Sequence, residues 1–186
     1  MRALIIVDVQ NDFCQGGSVP TARGAEVAPA INDYLSGDPG YHYVVATQDF
    51  HIDPGDHFSD RPDFSSSWPV HCVAGSAGAD LRPDLDIRRI DAVFRKGAHA
   101  AAYSGFEGVA ENGTTLLDWL RRRGVDEVDV VGIATDFCVR RTAEDAAAAG
   151  LTTRVLLGLT AAAAVDSAAE ALVEMRSAGI ELVGGP

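Results

Sequence analysis

The sequence is poor in cysteine, poor in positive charge and free of long apolar runs, and each shortage removes a class of explanation. Its three cysteines, Cys14, Cys72 and Cys138, are an odd number and too few for a disulfide scaffold, so free thiols in a reducing compartment are expected. Lys and Arg total 15 against 27 Asp and Glu, a net charge of −12, and that balance repels phosphate backbones and anionic membrane surfaces. Neither nucleic acid nor membrane is an expected partner. The N-terminal run "ALIIV" is too short for the core of a signal peptide and is broken by Asp8, and no stretch approaches the roughly 20 residues of a membrane span. A soluble cytoplasmic protein is the expectation. Repeats, low-complexity linkers and breaks in composition are missing too, so residues 1–186 read as one domain, with 47% hydrophobic residues to build its core.

What is present is a rhythm of strands and helices. Six short runs rich in Val, Ile or Leu begin at Ala3, His42, Asp91, Glu127, Thr152 and Ile180. They alternate with helical patterns, as the strands of a parallel sheet buried on both faces do. Helices are expected over Gly24–Leu35, from a cap at Thr114 to a stop at Gly124, and over Asp136–Ala149. A fourth starts from a Ser167/Glu170 capping box and ends at Gly179. The fold class is therefore α/β, a three-layer α/β/α sandwich. In such sheets ligands bind beyond the carboxyl ends of the strands, and there the pattern collects Asp8, Asp49, Lys96 and Cys138.

Cys138 follows an apolar strand and falls in the first turn of the next helix, where the dipole and nearby N–H groups favour a thiolate and can receive an oxyanion. The same place also suits an inert small core residue. Asp8 closes a buried strand and needs a cation or a proton. Lys96 offers the cation, and a carboxylate beside a thiol can act as its general base. A structural ion pair at a strand end is the competing reading.

Gln48–Gly75 holds three of the five histidines and five aspartates but little that looks like helix or strand, and a connection that long calls for a reason. Asp49, His51, His57 and His71 are a carboxylate with imidazoles, a set suited to one divalent first-row ion such as Fe, Mn or Zn rather than to a thiolate-bound structural zinc. A surface loop with solvated histidines is the alternative. Phe13, Trp68, Tyr103 and Phe137 lie near these motifs and together would make an apolar slot for a flat ring, although each alone is more often plain packing. His42 and His99 receive no role.

The segments "MRALIIVDVQNDFCQGGS", "ATQDFHIDPGDHF", "SSSWPVHC", "VFRKGAHAAAYSGFEG" and "VDEVDVVGIATDFCVRRTAEDA" resemble bacterial nicotinamidases, also called pyrazinamidases, of the isochorismatase-like cysteine hydrolase superfamily. The resemblance runs over essentially the whole chain in matching order. It implies a six-stranded parallel sheet between helices, and hydrolysis of nicotinamide to nicotinate and ammonia in NAD salvage, with pyrazinamide as a second substrate. It also implies roles: Cys138 as nucleophile, Asp8 as proton carrier, and Lys96 as holder of the charged pair. Backbone N–H groups of Ala134 and Cys138 would form an oxyanion hole next to a cis peptide between Ile133 and Ala134. Asp49, His51 and His71 match general metal ligands and His57 a ligand of one subgroup, with the ion meeting the ring nitrogen. Phe13, Trp68, Tyr103, Ile133 and Phe137 match substrate-binding positions; at Phe137 similar enzymes often carry a polar or different aromatic residue. A monomer or small homo-oligomer is expected.

Other readings remain open. A sister amidase acting on another small amide would share most of these residues. Isochorismate hydrolases do not rely on the D-x-H metal set. A non-catalytic binding or metal-storage protein would not need Asp8, Lys96 and Cys138 together.

Overall fold

The apolar runs become strands because β-branched residues pack well on both sides of a covered sheet. In the computed structural model, which describes residues 1–185, they form β1 (Arg2–Val7), β2 (Tyr43–Asp49), β3 (Ala92–Lys96), β4 (Glu127–Ile133), β5 (Thr152–Ala161) and β6 (Glu181–Val183). All pair in parallel in the order β3-β2-β1-β4-β5-β6. Successive side chains alternate between faces: Leu4 and Ile6 join α1 (Gly24–Ser36) through Val27, Ile31 and Leu35. Ile5 and Val7 face the other layer, where α2 (Leu116–Arg122), α3 (Arg140–Ala148) and α4 (Val165–Ser177) contribute Leu116, Ala143 and Met175. Among the described residues no helix is long and apolar enough to cross a membrane.

The strand order reverses between β1 and β4, which is the place where doubly wound sheets open a crevice. Asp8 follows β1 and Cys138 follows β4, so chain order delivers both to that crevice. Close approach of the two strand ends depends on Gly132: its φ is +116°, and a Cβ there would lie 2.1 Å from the Val7 carbonyl oxygen.

Four local expectations are corrected. The cap of α2 is Thr115, not Thr114; its side chain accepts from the Asp118 N–H, and the buried stripe is Leu116, Trp119 and Leu120, with Leu117 half-buried. Asp136–Ala149 is not one helix: a π turn over Thr135–Val139 precedes α3. Ser167 caps nothing, because α4 already begins at Val165 and the Ser167 hydroxyl donates to the Asp136 carboxylate. Finally β5 runs on to Ala161, beyond the apolar run "TTRVLLG" that begins at Thr152 in the sequence, its pairing with β4 shifting register between Val130 and Gly132.

Candidate active site

Lys96 is the only lysine in the chain, and it is 3% exposed at the end of β3. A buried ammonium must find compensation. Its Nζ lies 2.8 Å from Asp8 Oδ2 and 2.5 Å from Asp49 Oδ1, donates to the Ala102 carbonyl at 3.0 Å, and sits 3.7 Å from Cys138 Sγ. Burial works against the charge, but Asp49, Asp8 and Cys138 together hold the Lys96 pKa well above its ordinary value.

The two carboxylates on this one cation are driven apart. Burial raises the Asp8 pKa, and Lys96 only partly opposes it while Asp49 adds to the rise. For Asp49 burial also pushes upward, yet Lys96 and His51 outweigh it and hold the carboxyl well below its usual range. Divergent environments of this kind separate a proton carrier from a permanent anion; Asp8 has the first character and Asp49 the second. Cys138, 6% exposed, is pushed up mainly by burial, with Lys96 pulling down and Asp8 and Asp49 pushing further up. The helix-turn expectation of a resting thiolate is therefore revised: the sulfur keeps its proton until a base removes it.

The loop histidines form the second half. His51 Nδ1 lies 2.6 Å from the Gly97 carbonyl and His71 Nδ1 lies 2.7 Å from the Pro69 carbonyl. A carbonyl only accepts, so these nitrogens carry protons, and Nε2 is the ring atom of each that a metal ion would use. Backbone pairing of His51 with Cys72 and Ala74, together with glycine at 97, fixes the first ring; a Cβ on Gly97 would stand 2.7 Å from His51 Cε1. One ligand atom from each of the three loop histidines lies within 4.8 Å of the others, and His51 Nε2 and His57 Nδ1 are buried without a hydrogen-bond partner. Asp49 Oδ2 is 3.7 Å from His51 Nε2 and 4.0 Å from His71 Nε2.

Burial, reinforced by the neighbouring imidazoles, lowers His57 to about 4, and burial also lowers His71. Two carbonyl-anchored imidazoles whose Nε2 atoms lie near one carboxylate, with a third ring that has a buried, unpartnered Nδ1, are what a divalent cation requires, and buried polar atoms are seldom left orphaned without such a use. These residues fit a divalent metal ion.

Between the halves lies a cavity of about 590 Å³ whose wall includes Asp49, His57, His71, Ala134 and Cys138. Phe13, Trp68, Tyr103 and Phe137 line it as well. Phe137 meets Trp68 edge-on at 5.0 Å and stacks on Tyr103 at 6.1 Å, and Trp68 Nε1 donates to the Tyr103 hydroxyl at 3.1 Å. Asp8, Lys96 and His51 are not on the wall itself. Ile133 is not there either: its side chain is buried in the core on the α1 side. The peptide bond between Ile133 and Ala134 is cis, as the resemblance implied.

Three features escaped the sequence reading. It paired Lys96 with Asp8 alone, whereas Asp49 touches Lys96 with one oxygen and faces the histidines with the other. Gln10, fully buried, brackets Asp49: its Oε1 accepts the Asp49 N–H at 2.9 Å, and its Nε2 donates to the carbonyls of Asp49 and Ala79, both at 2.8 Å. Asp136, 2% exposed, accepts from the N–H groups of Ala163 and Ala164 and so pins the opposite cavity wall beside Cys138. The available signals were the solitary lysine and the two polar side chains, Gln10 and Asp136, set in apolar surroundings.

A shielded thiol with an acid–base pair behind it and a cluster of imidazoles at one apolar slot are equipped for nucleophilic cleavage of a small flat carboxamide. Comparison with known proteins agrees with that chemistry. Residues 2–185 match the model of the Isochorismatase domain family. The nicotinamidase/pyrazinamidase of Mycobacterium tuberculosis is 68% identical over 183 residues, 98% of either chain. A protein of L. infantum, solved in complex with nicotinate, superposes with a TM-score of 0.86 at 38% identity, over 98% of this chain and 92% of that one. The pyrazinamidase of Pyrococcus horikoshii, solved in complex with zinc, gives 0.83 at 35% identity over 99% of both.

Proposed function

The chain belongs to the isochorismatase family, and on that premise we infer that it is a nicotinamidase: it hydrolyses nicotinamide to nicotinate and ammonia through a thioester on Cys138, deamidates pyrazinamide in the same way, and serves NAD salvage. One observation carries the reading. Cys138, with the Asp8–Lys96 pair behind it, and the candidate metal ligands that reach the wall, Asp49, His57 and His71, share a single aromatic slot. A flat ring bearing a carboxamide on one side and a nitrogen lone pair on the other would set the amide at the thiol and the lone pair at an ion held by the histidines.

In the first half-reaction Asp8 takes the Cys138 proton as sulfur bonds to the amide carbon, and Lys96 balances the charge that moves onto the sulfur. Backbone N–H groups of Ala134 and Cys138 receive the oxyanion. Asp8 then returns the proton to the leaving nitrogen, the C–N bond breaks, and ammonia departs. In the second half-reaction Asp8 takes a proton from water as its oxygen attacks the thioester carbon, and sulfur leaves with that proton, freeing the carboxylate product. Phe13, Trp68, Tyr103 and Phe137 hold the ring in plane and keep bulk water out of the slot. Asp49, His51, His57 and His71 would hold one divalent ion, for which this donor set accommodates Fe, Mn or Zn; when bound it supplies a contact for the ring nitrogen and so orients the amide. The three unpaired thiols support residence in the reducing cytoplasm.

The direct test is ammonia release by the purified, metal-loaded enzyme with nicotinamide and pyrazinamide side by side. Turnover of both is expected; turnover of neither would move the assignment to another small amide. His71→Ala is expected to raise KM roughly ten-fold or more while lowering kcat less, and to reduce bound metal, because it removes one ligand and no reacting group. Elemental analysis of the same preparations checks it: unchanged metal content would refute the ligand set.

A further inference from the structure

Asp8 has another partner. Thr47, fully buried on β2, donates its Oγ1 hydroxyl to Asp8 Oδ1 at 2.6 Å and accepts the Asp8 N–H at 3.2 Å. Asp8 needs both: its φ of +47° lies in the left-handed region, which non-glycine residues occupy sparsely and Asp more readily than most. Its two oxygens are thereby made unequal. Oδ1 is committed to a short hydrogen bond from a neutral hydroxyl, whereas Oδ2 faces the Lys96 ammonium, 2.8 Å from its Nζ, on the side of the nucleophile.

We propose that Thr47 is a positioning residue for the amide hydrolysis: its hydroxyl locks the Asp8 carboxylate through Oδ1, so that Oδ2 is the oxygen that takes the thiol proton and returns it to ammonia. The proposal rests on the nicotinamidase reading above. The surroundings of Thr47 serve the same end. A Cβ on Gly105 would lie 2.8 Å from Thr47 Cγ2, so only glycine at 105 leaves the Thr47 side chain in its place. The Gly105 N–H donates to Thr142 Oγ1 at 2.8 Å, and that hydroxyl donates to the Cys138 carbonyl at 2.6 Å. Three residues earlier the Ala102 carbonyl accepts from Lys96. One short segment thus backs the base through Thr47, the nucleophile through Thr142 and the cation directly. Errors of a fraction of an ångström in a proton-carrying group are costly to rate and nearly invisible to binding.

The test compares Thr47→Val, which keeps the methyl facing Gly105 and loses the hydroxyl, with Thr47→Ser, which does the reverse. Kinetics use the metal-loaded enzyme with nicotinamide. Thr47→Val is expected to lower kcat about 10- to 100-fold with KM within about two-fold, since the ring slot is untouched, and Thr47→Ser to stay within about three-fold of wild type in kcat. A role confined to packing predicts the opposite order. Wild-type kcat in Thr47→Val, or equal losses in both variants, would overturn the proposal. Should Thr47→Val not fold, Gly105→Ala supplies the same test: its methyl is expected to displace Thr47 and depress kcat, and adding Thr47→Ser, which removes the clashing Cγ2, is expected to restore it. Absence of that rescue would count against the proposal equally. The wild-type assay is read first, because failure to release ammonia there sinks the nicotinamidase reading itself, whereas an active wild type with a fully active Thr47→Val sinks only the role of Thr47.

Discussion

Replacing Cys138 by alanine is expected to lower ammonia release roughly 10⁴-fold or more, the scale seen when a covalent nucleophile is removed from a hydrolase, while leaving the fold in place. The two halves of that expectation have separate grounds. Chemistry stops because no other thiol lines the cavity, Cys14 and Cys72 being buried elsewhere, and because Cys138 is the thiol that stands 3.7 Å from Lys96 Nζ, beside Asp8. The fold persists because the thiol is the least of the attachments around Lys96, whose Nζ keeps Asp8, Asp49 and the Ala102 carbonyl. Losing one small buried group costs about 1 kcal/mol, which moves the thermal midpoint of a chain of this size by about 2–4 °C. Thermal unfolding and an ammonia assay on one preparation check both, and measurable turnover in the variant would end the thioester mechanism.

Lys96→Met is expected to do what Cys138→Ala does not, and damage both activity and stability. Methionine follows the lysine stem closely in volume but brings no charge to a place where two carboxylates meet with almost no water. Removing one partner from a buried ionic cluster leaves the others uncompensated, a loss of about 3–5 kcal/mol and hence roughly 10 °C or more in thermal midpoint. Activity is expected to fall about 10³-fold or more, because the developing thiolate loses the cation 3.7 Å away. A variant that kept its stability would mean that the three charges are independent, contrary to the distances between them.

The sequence carried much of this, and its failures have physical causes. Parallel strands were legible because Val, Ile and Leu runs such as "ALIIV" are what a doubly covered sheet demands, and the carboxyl-end rule then brought Asp8, Asp49, Lys96 and Cys138 to one rim. The Ser167/Glu170 capping box was misleading because the motif is local, whereas the Ser167 hydroxyl is claimed by Asp136, 31 positions away in the chain. Thr114 and Thr115 are equally good caps on paper; only the path of the preceding turn decides between them. The resting state of Cys138 was misjudged because a helix-turn argument weighs the dipole but not the desolvation of a thiol at 6% exposure. Asp49 was recognised as a ligand and missed as a partner of Lys96, since β2–β3 register, which sets Asp49 opposite Lys96, cannot be read from either strand alone.

The solitary lysine has a practical consequence. Lys and Arg total 15, and the only one of them with a primary amine is held between two carboxylates at the centre of the site. The outer surface is therefore bare of side-chain amines. Acylating or reductively methylating reagents meet no competing lysine outside, so their reaction with Lys96 waits on a transient opening of the catalytic cluster. Labelling at this one residue becomes a clock for how often the enclosed machinery breathes, and a bound substrate or product should slow it.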